Sequence, residues 1–255
     1  MRIIISGEPY LGVGFTAKKG MPKMIRQLLR LRRRQVLIDV NTQKDFLLAN
    51  GNACTRNHRR ILANVRRIMA WARVRNVPVI STCEVYSNDN GFSVFDYCVD
   101  GTEGQKKIHY TLLSNRISFP AETSTDLPRD IMRQYRQIIL HKRCMDPFEE
   151  PRIERLLSEV QANEFILIGA SAEGAVQATA LGLLQRGKKV SIVTDAVGSY
   201  NKRDAKMSFR KMKAKGAKLI ETRKLAGVSH LQRVGICKCS RCHSHAAKAE
   251  VEAEI

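Results

Sequence analysis

One segment of the chain, residues 164–199, predicts a complete strand, turn, helix and strand, and it constrains the fold more than any other stretch. The apolar run at residues 165–168 is short, ends at Gly169 and is typical of a buried parallel strand. Helical spacing follows until Gly187, and residues 190–194 form a second apolar run. Where a strand turns directly into a helix, the first helical residues lie at the carboxyl edge of the sheet, beside a ligand crevice. We expect a catalytic side chain there, yet the residue at this position is Ala175.

The rest of the chain repeats the same alternation of strand and helix. Apolar runs predict further strands at residues 35–40, 77–83, 137–141 and 217–220, and helical spacing predicts helices at 56–75, 149–160 and 202–215. Such alternation predicts an α/β fold with three layers, α/β/α, around a mainly parallel six-stranded sheet. Residues 84–128 show no sustained period, and we interpret them as a lid or interface excursion over the sheet.

Charge is the most unusual property of the composition. The chain has 44 Lys and Arg against 24 Asp and Glu, a formal net charge of +20. Residues 1–34 alone hold nine basic residues and one acid, Glu8. A field of this sign attracts polyanions, and nucleic acid or the ribosome is the obvious partner. The alternative is that the basic residues only keep the protein soluble, because no basic motif interleaved with aromatic residues is present.

Domain organisation follows from these patterns. We expect a basic N-terminal extension at residues 1–34, one α/β domain at 35–228 and a C-terminal tail rich in Cys and His at 229–255. The sequence has neither an apolar stretch long enough to span a bilayer nor the pattern of a secretory signal, so we predict a cytoplasmic protein with no membrane association. An organelle transit peptide is the alternative for the Arg-rich leader.

Three motifs in order resemble those of the isochorismatase-like hydrolases, the superfamily that includes the cysteine amidases. We call the turn from the strand at 165–168 into the following helix the elbow. Its sequence resembles G-x-x-x-x-x-C-V-x-x-T-A at Gly169, Val176 and Thr179, and the family's V-x-D-A follows at residues 193–196. Residues 39–46, DVNTQKDF, resemble the signature D-x-Q-x-D-F in its longer form D-V-D-T-Q-x-D-F, with Asn41 in place of Asp. Lys142 after the third predicted strand is similar to the family's catalytic lysine.

The resemblance implies roles for particular residues. Asp39 would be the catalytic aspartate and Lys142 its electrostatic partner, with Ala175 at the position of the nucleophilic cysteine. The residues expected to contact a substrate come from the first motif and the elbow: Gln43, Phe46, Ala170, Ser171 and Gly174. Members with glycine in place of the cysteine hydrolyse a vinyl ether with the aspartate as general acid, and Ala175 is compatible with that route, which needs no catalytic cofactor.

Other features argue against a cysteine amidase of the nicotinamidase type. Ala175 cannot attack a carbonyl, and we interpret Cys144, Cys83 and Cys98 as ordinary thiols away from the elbow. No histidine follows the second predicted strand, where the resemblance implies a metal cluster. We interpret the acids there, Glu84 and Asp89, as solvated loop residues.

The C-terminal run GICKCSRCHSH is a second candidate site. Cys237, Cys239, Cys242 and His243 provide the ligand types of a structural zinc ion, although all lie in one short run without a separate ligand pair. A c-type haem attachment and a redox pair are the alternatives.

Two functions of different classes are compatible with the sequence. The first is a Cys-independent hydrolase of a small molecule that uses Asp39 and Lys142. The second is a catalytically inactive protein of the same fold that acts as a binding scaffold, for nucleic acid or the ribosome. In either case the resemblance implies a homo-oligomer.

Overall fold

A computed structural model of the chain describes residues 35–87, 95–128 and 130–227. In this part of the chain, seven strands form one parallel sheet in the order β3-β4-β2-β1-β5-β6-β7. The strands are β1 (Gln35–Val40), β2 (Val79–Glu84), β3 (Arg116–Phe119), β4 (Gln137–Lys142), β5 (Glu164–Gly169), β6 (Val190–Val197) and β7 (Lys218–Ile220).

Helices cover both faces of this sheet, as the sequence predicted. They are α1 (Lys44–Leu47), α2 (His58–Arg75), α3 (Ile131–Gln134), α4 (Pro151–Glu159), α5 (Ala175–Gln185), α6 (Lys202–Ala214) and α7 (Thr222–Ala226), with 3-10 turns at His109–Thr111 and Pro147–Glu149. Alternate strand residues point to opposite faces, so each strand contributes to two separate cores. We call these the α5 face, where α4, α5 and α6 pack, and the α2 face, where α1 and α2 pack.

The three-layer parallel architecture is confirmed, with one strand more than predicted. The additional strand, β3, lies at the edge of the sheet inside the segment interpreted as an irregular excursion. It has only four residues, and its side chains alternate between exposed and half-buried, so it lacks the continuous apolar run of the central strands. Asn201 caps the N-terminus of α6, because its Oδ1 accepts a hydrogen bond from Arg203 N at 2.9 Å.

Gly169 sets the position of the elbow after β5. Its φ of +116° favours glycine, and a Cβ atom on it would lie 1.7 Å from the carbonyl oxygen of Val40. The ends of β1 and β5 therefore approach each other more closely than any side chain would allow. This contact places the residues after β1 and those after β5 side by side at the carboxyl edge.

In the part of the chain described here, no helix is both long and apolar enough to cross a membrane. The predicted basic extension at 1–34, the tail at 229–255 and the zinc ligands Cys237, Cys239, Cys242 and His243 lie outside the described residues. They stay predictions.

Candidate active site

The candidate site lies at the carboxyl edge of the sheet, where the chain leaves β1, β2, β4 and β5. In open parallel sheets this edge is where ligands bind, because loops and helix N-termini converge there. Asn41 follows β1, Glu84 ends β2, Lys142 ends β4 and Ala175 begins α5. Glu84 and Lys142 are direct partners in the register of β2 and β4.

Lys142 is completely buried, and all three of its ammonium hydrogens have acceptors. Its Nζ lies 2.7 Å from Glu84 Oε1, 2.7 Å from the carbonyl oxygen of Cys144 and 3.1 Å from that of Met145. An ammonium group has three donors and no acceptor, so this set satisfies it fully. The lysine therefore joins the ends of two strands to the loop that follows β4.

Glu84 is the centre of the network around Lys142. Its Oε1 also accepts a hydrogen bond from Asn41 Nδ2 at 2.6 Å, and its Oε2 accepts one from the Tyr86 hydroxyl at 3.1 Å. The backbone of Glu84 is held by Gln43, whose amide donates to the Glu84 carbonyl at 2.7 Å and accepts from its N–H at 2.8 Å. The interpretation of Glu84 as a solvated loop acid is wrong, because the residue is only 4% exposed.

Asp39 does not meet Lys142, contrary to the pairing expected from the sequence. It lies inside β1, where its carboxylate contacts Lys107 Nζ at 2.8 Å and the Ser81 hydroxyl at 3.0 Å. Its strand neighbours at positions 37 and 168 belong to the core of the α2 face, whereas Leu140 and Ala175 belong to that of the α5 face. The sheet thus separates Asp39 from Lys142.

Asn41 occupies the place beside Lys142 that was assigned to Asp39. Its φ of 47° takes it out of the strand alternation, and its amide reaches Glu84 and Thr82 on the α5 face. The shorter signature D-x-Q-x-D-F also fits from this residue, with Asn41, Gln43, Asp45 and Phe46 at its four fixed positions. In this alignment the first residue of the signature is an amide rather than an acid.

The elbow between β5 and α5 forms the floor of the site. Ala170 is fully buried, the peptide bond between it and Ser171 is cis, and Ser171 is 8% exposed. A Cβ atom on Gly174 would lie 3.0 Å from Ser171 Oγ and 3.1 Å from Met145 Sδ, so Met145 reaches over the elbow. Ala175 is the first residue of α5 and packs into the core of the α5 face.

Aromatic side chains pack beside Glu84. The Tyr86 ring lies 5.4 Å from that of Tyr97 and 4.3 Å from that of Phe95, measured between centroids. Phe46, one of the predicted substrate contacts, packs edge-on against Tyr97 at 5.5 Å and is 3% exposed. Gln43 is likewise buried and bonded to backbone.

Sequence comparison assigns this architecture to a family. The family model for the isochorismatase domain matches the sequence over residues 35–224, which is most of the chain. The chain belongs to the isochorismatase family. Comparison of the sequence with curated proteins gives no match.

Solved structures of similar fold cover most of this isochorismatase-family chain. A pyrazinamidase of Pyrococcus horikoshii in complex with zinc is 21% identical, with a TM-score of 0.57 over 74% of this chain and 99% of that one. An isochorismatase family protein from Desulfovibrio vulgaris is 18% identical, with a TM-score of 0.60 over 79% and 98%. The MAR1 ribonuclease from Caenorhabditis elegans is 20% identical, with a TM-score of 0.52 over 77% and 81%.

No thiol described in this isochorismatase domain has the properties of a nucleophile. Burial raises the pKa of Cys83 to about 11 and that of Cys144 to about 12, and it also raises the pKa of Cys98 and of Cys54. A thiol of raised pKa stays protonated at neutral pH, and the thiolate is the reactive form. Ala175 therefore has no substitute among these residues.

Within residues 35–87, 95–128 and 130–227, no group of three or more His, Cys, Asp or Glu side chains converges as a metal centre would require. The carboxylate of Glu84 is instead bonded to Asn41, Tyr86 and Lys142.

Sequence reasoning missed two residues of this region. Glu84 was interpreted as a solvated acid, although its place at the end of a predicted strand indicated that it would lie at the carboxyl edge beside Lys142. Lys107, which pairs with Asp39, lies in the segment without periodicity, where no sequence signal placed it against β1.

Proposed function

We propose that this protein is a catalytically silent member of the isochorismatase family that acts as a binding scaffold for a polyanion. The observation that carries the proposal is the closed network at the carboxyl edge. Lys142 has three acceptors, Asn41 stands in the acid position of the signature, and Ala175 stands in the nucleophile position.

The chemistry of hydrolysis explains why this network argues against catalysis. The family's reactions need a nucleophile or a general acid, together with a cation that is free to stabilise developing charge. Neither an amide nor a methyl group can transfer a proton or attack a carbonyl. The ammonium group of Lys142 would have to break existing hydrogen bonds before it could contact a substrate.

The first test is an activity assay with small amides and vinyl ethers. The protein is compared with the pyrazinamidase of Pyrococcus horikoshii as positive control for the amides and with a buffer blank. We expect no turnover above the blank. Turnover by this protein above the blank would overturn the silent assignment.

A Cys-independent hydrolase is the second candidate, favoured by one observation. Glu84 places a buried carboxylate beside Lys142, on the face of the sheet that carries Ala175, which is where Asp39 was expected. In this reaction Glu84 would act as the general acid or base. The same assay separates the two candidates, because only the hydrolase gives turnover above the blank.

The polyanion half of the proposal rests on the surface of α6. Its exposed side carries six basic side chains against one acid, Asp204, and they form no ion pair within the described part of the chain; they are Lys202, Arg203, Lys206, Arg210, Lys211 and Lys213. A dense row of free cations on one helix face attracts phosphate backbones. RNA is the first polyanion to test, since one protein of similar fold is a ribonuclease.

Binding to single-stranded RNA at several salt concentrations tests this half. Phosphate contacts by free lysines and arginines make affinity fall with salt, with a slope of about 0.7 per contact on single strands. Lys206→Gln/Arg210→Gln/Lys213→Gln is expected to lower the slope by about 2. The matched control, Arg59→Gln/Arg66→Gln/Arg75→Gln on α2, removes the same charge from the other layer, and an equal loss in both variants would refute a role specific to α6.

Two further proposals come from the family and the composition. We propose a homo-oligomer, which light scattering after size exclusion tests. We also propose zinc in the C-terminal tail, and metal analysis of the protein with Cys237, Cys239 and Cys242 changed to Ser tests it.

A further inference from the structure

A cleft lies on the α2 face of the sheet, which is opposite to the face that carries the candidate active site. It has a volume of about 500 Å³ and opens between the edge strands and the segment before β3. Among the described residues, its lining contains six basic or potentially basic side chains and no carboxylate. The six are Lys44, Lys106, Lys107, His109, Arg116 and His141.

The alternation of the edge strands explains why these side chains meet. Arg116 and Ser118 are alternate residues of β3, and Ile139 and His141 are alternate residues of β4, so both pairs point to the same face. The segment that carries Lys107 runs beside the chain after β1, where Ile108 N donates to the Thr42 carbonyl at 2.9 Å. The cleft is thus built from three adjacent parts of the fold.

The positive charge of the cleft exceeds its nearby negative charge. Asp39 pairs with Lys107, and the single carboxylate of Glu103 serves both Lys44 and Lys106. The Arg116 guanidinium donates to the Leu113 carbonyl at 2.7 Å, which uses one of its five N–H donors. Asp100 is a third nearby carboxylate, and it acts on His141. Among the described residues, three carboxylates therefore face four permanent cations and two histidines, and such a concave positive site favours an anion.

The shape and chemistry of the cleft favour an anion attached to an apolar body. A guanidinium fork binds two oxygens of a phosphate at once, and an adjacent lysine adds a point charge. Leu112 and Ile139 contribute apolar surface to the lining, and the volume lies in the range of small-molecule sites, about 300–1,000 Å³. We propose that this cleft binds the phosphate group of a phosphate ester, held by Arg116 and Lys106 with the histidines as further donors.

Calorimetric titration with adenosine monophosphate tests the proposal, with adenosine as the uncharged control. We expect the monophosphate to bind and adenosine not to bind. Lys106→Gln/Arg116→Gln is expected to weaken binding about tenfold or more, because it removes two charge-assisted contacts. Arg116→Lys, which keeps the charge but loses the fork, should give a smaller loss.

A matched pair controls for net charge and for folding. Lys189→Gln/Lys218→Gln removes two exposed lysines at the opposite end of the strand order, one just before β6 and one in β7, and should change affinity by less than about twofold. Titration with a single-stranded oligonucleotide distinguishes a free phosphate ester from a nucleic-acid phosphate, since only the probe that uses the cleft loses affinity in Lys106→Gln/Arg116→Gln. If that variant weakens neither probe, or if the control pair weakens binding equally, the proposal is overturned.

The site is independent of the scaffold function. Substitutions on α6 should leave binding of the monophosphate unchanged, whereas they should weaken RNA binding. The two proposals therefore fail separately.

Discussion

At the scale of single residues, the pair of Glu84 and Lys142 gives the strongest prediction about stability. Both side chains are almost fully buried and 2.7 Å apart. Glu84→Gln leaves the ammonium group without its counter-charge, and such a change costs about 3–5 kcal/mol of the free energy of unfolding. Urea denaturation measures it.

Two variants serve as controls for this substitution. Glu84→Gln/Lys142→Met removes both charges and should be less destabilised than Glu84→Gln alone. Glu159→Gln breaks the exposed pair with Arg155 and should cost no more than about 0.5 kcal/mol. A cost below about 1 kcal/mol for Glu84→Gln would contradict a buried ionic network.

His141 gives a prediction about pH. Burial lowers the pKa of His141, and the Lys107 ammonium lowers it further. The folded state therefore binds fewer protons than the unfolded state, so the contribution of His141 to stability is present above its unfolded pKa of about 6.5 and declines as pH falls below it. We expect His141→Asn to show a smaller loss of unfolding free energy between pH 6.5 and 5 than the unmodified protein. Identical pH profiles would show that His141 is not responsible.

The site shows what a sequence can and cannot specify at this scale. Lys142 and Ala175 were located from motif spacing, because each follows a strong apolar strand. Which of Asp39 and Asn41 lies beside Lys142 depended on the face of the sheet that each side chain reaches. One left-handed residue, Asn41 with φ of 47°, decides it, and the sequence carried two signals for it: the enrichment of Asn in that conformation and the fit of the shorter signature from this residue.

At the scale of elements, the junction of β1 and β5 depends on Gly169. Gly169→Ala would place a methyl carbon 1.7 Å from the Val40 carbonyl oxygen, so the strands would have to separate. We expect a cost well above the roughly 1–2 kcal/mol of positive φ alone. Gly187→Ala is the matched control, since that residue also has a positive φ, +69°, but open space around it. Chemical denaturation of both variants measures the difference, and equal costs would refute the steric argument.

Strands and helices of the domain were predicted to within a few residues where the apolar pattern is strong. β1 was placed at its observed bounds, and α2 begins at His58, two residues after the predicted start. β3 was missed because an edge strand buries little of its surface, and its pairing with β4 compensates for a weak local pattern. Pairing between distant segments is the information that a local pattern lacks.

At the scale of the whole molecule, the net charge of +20 predicts a response to salt. Like charges repel one another in the compact state, and ions screen this repulsion. We expect the melting temperature to rise when NaCl increases from 20 to 200 mM. A fall in the melting temperature would show that attractive ion pairs outweigh the repulsion. The same series with sucrose, which is uncharged, in place of NaCl controls for changes in solvation.

Lys142 has a further consequence for the motions of the whole molecule. Its three hydrogen bonds fasten the end of β2, the end of β4 and the loop at Cys144 and Met145 to one buried atom. None of these segments can move outward alone without breaking a bond to a charged group. Amide hydrogens at this edge should therefore exchange with solvent at rates close to those of the central strands, so the carboxyl edge opens only when the core itself opens.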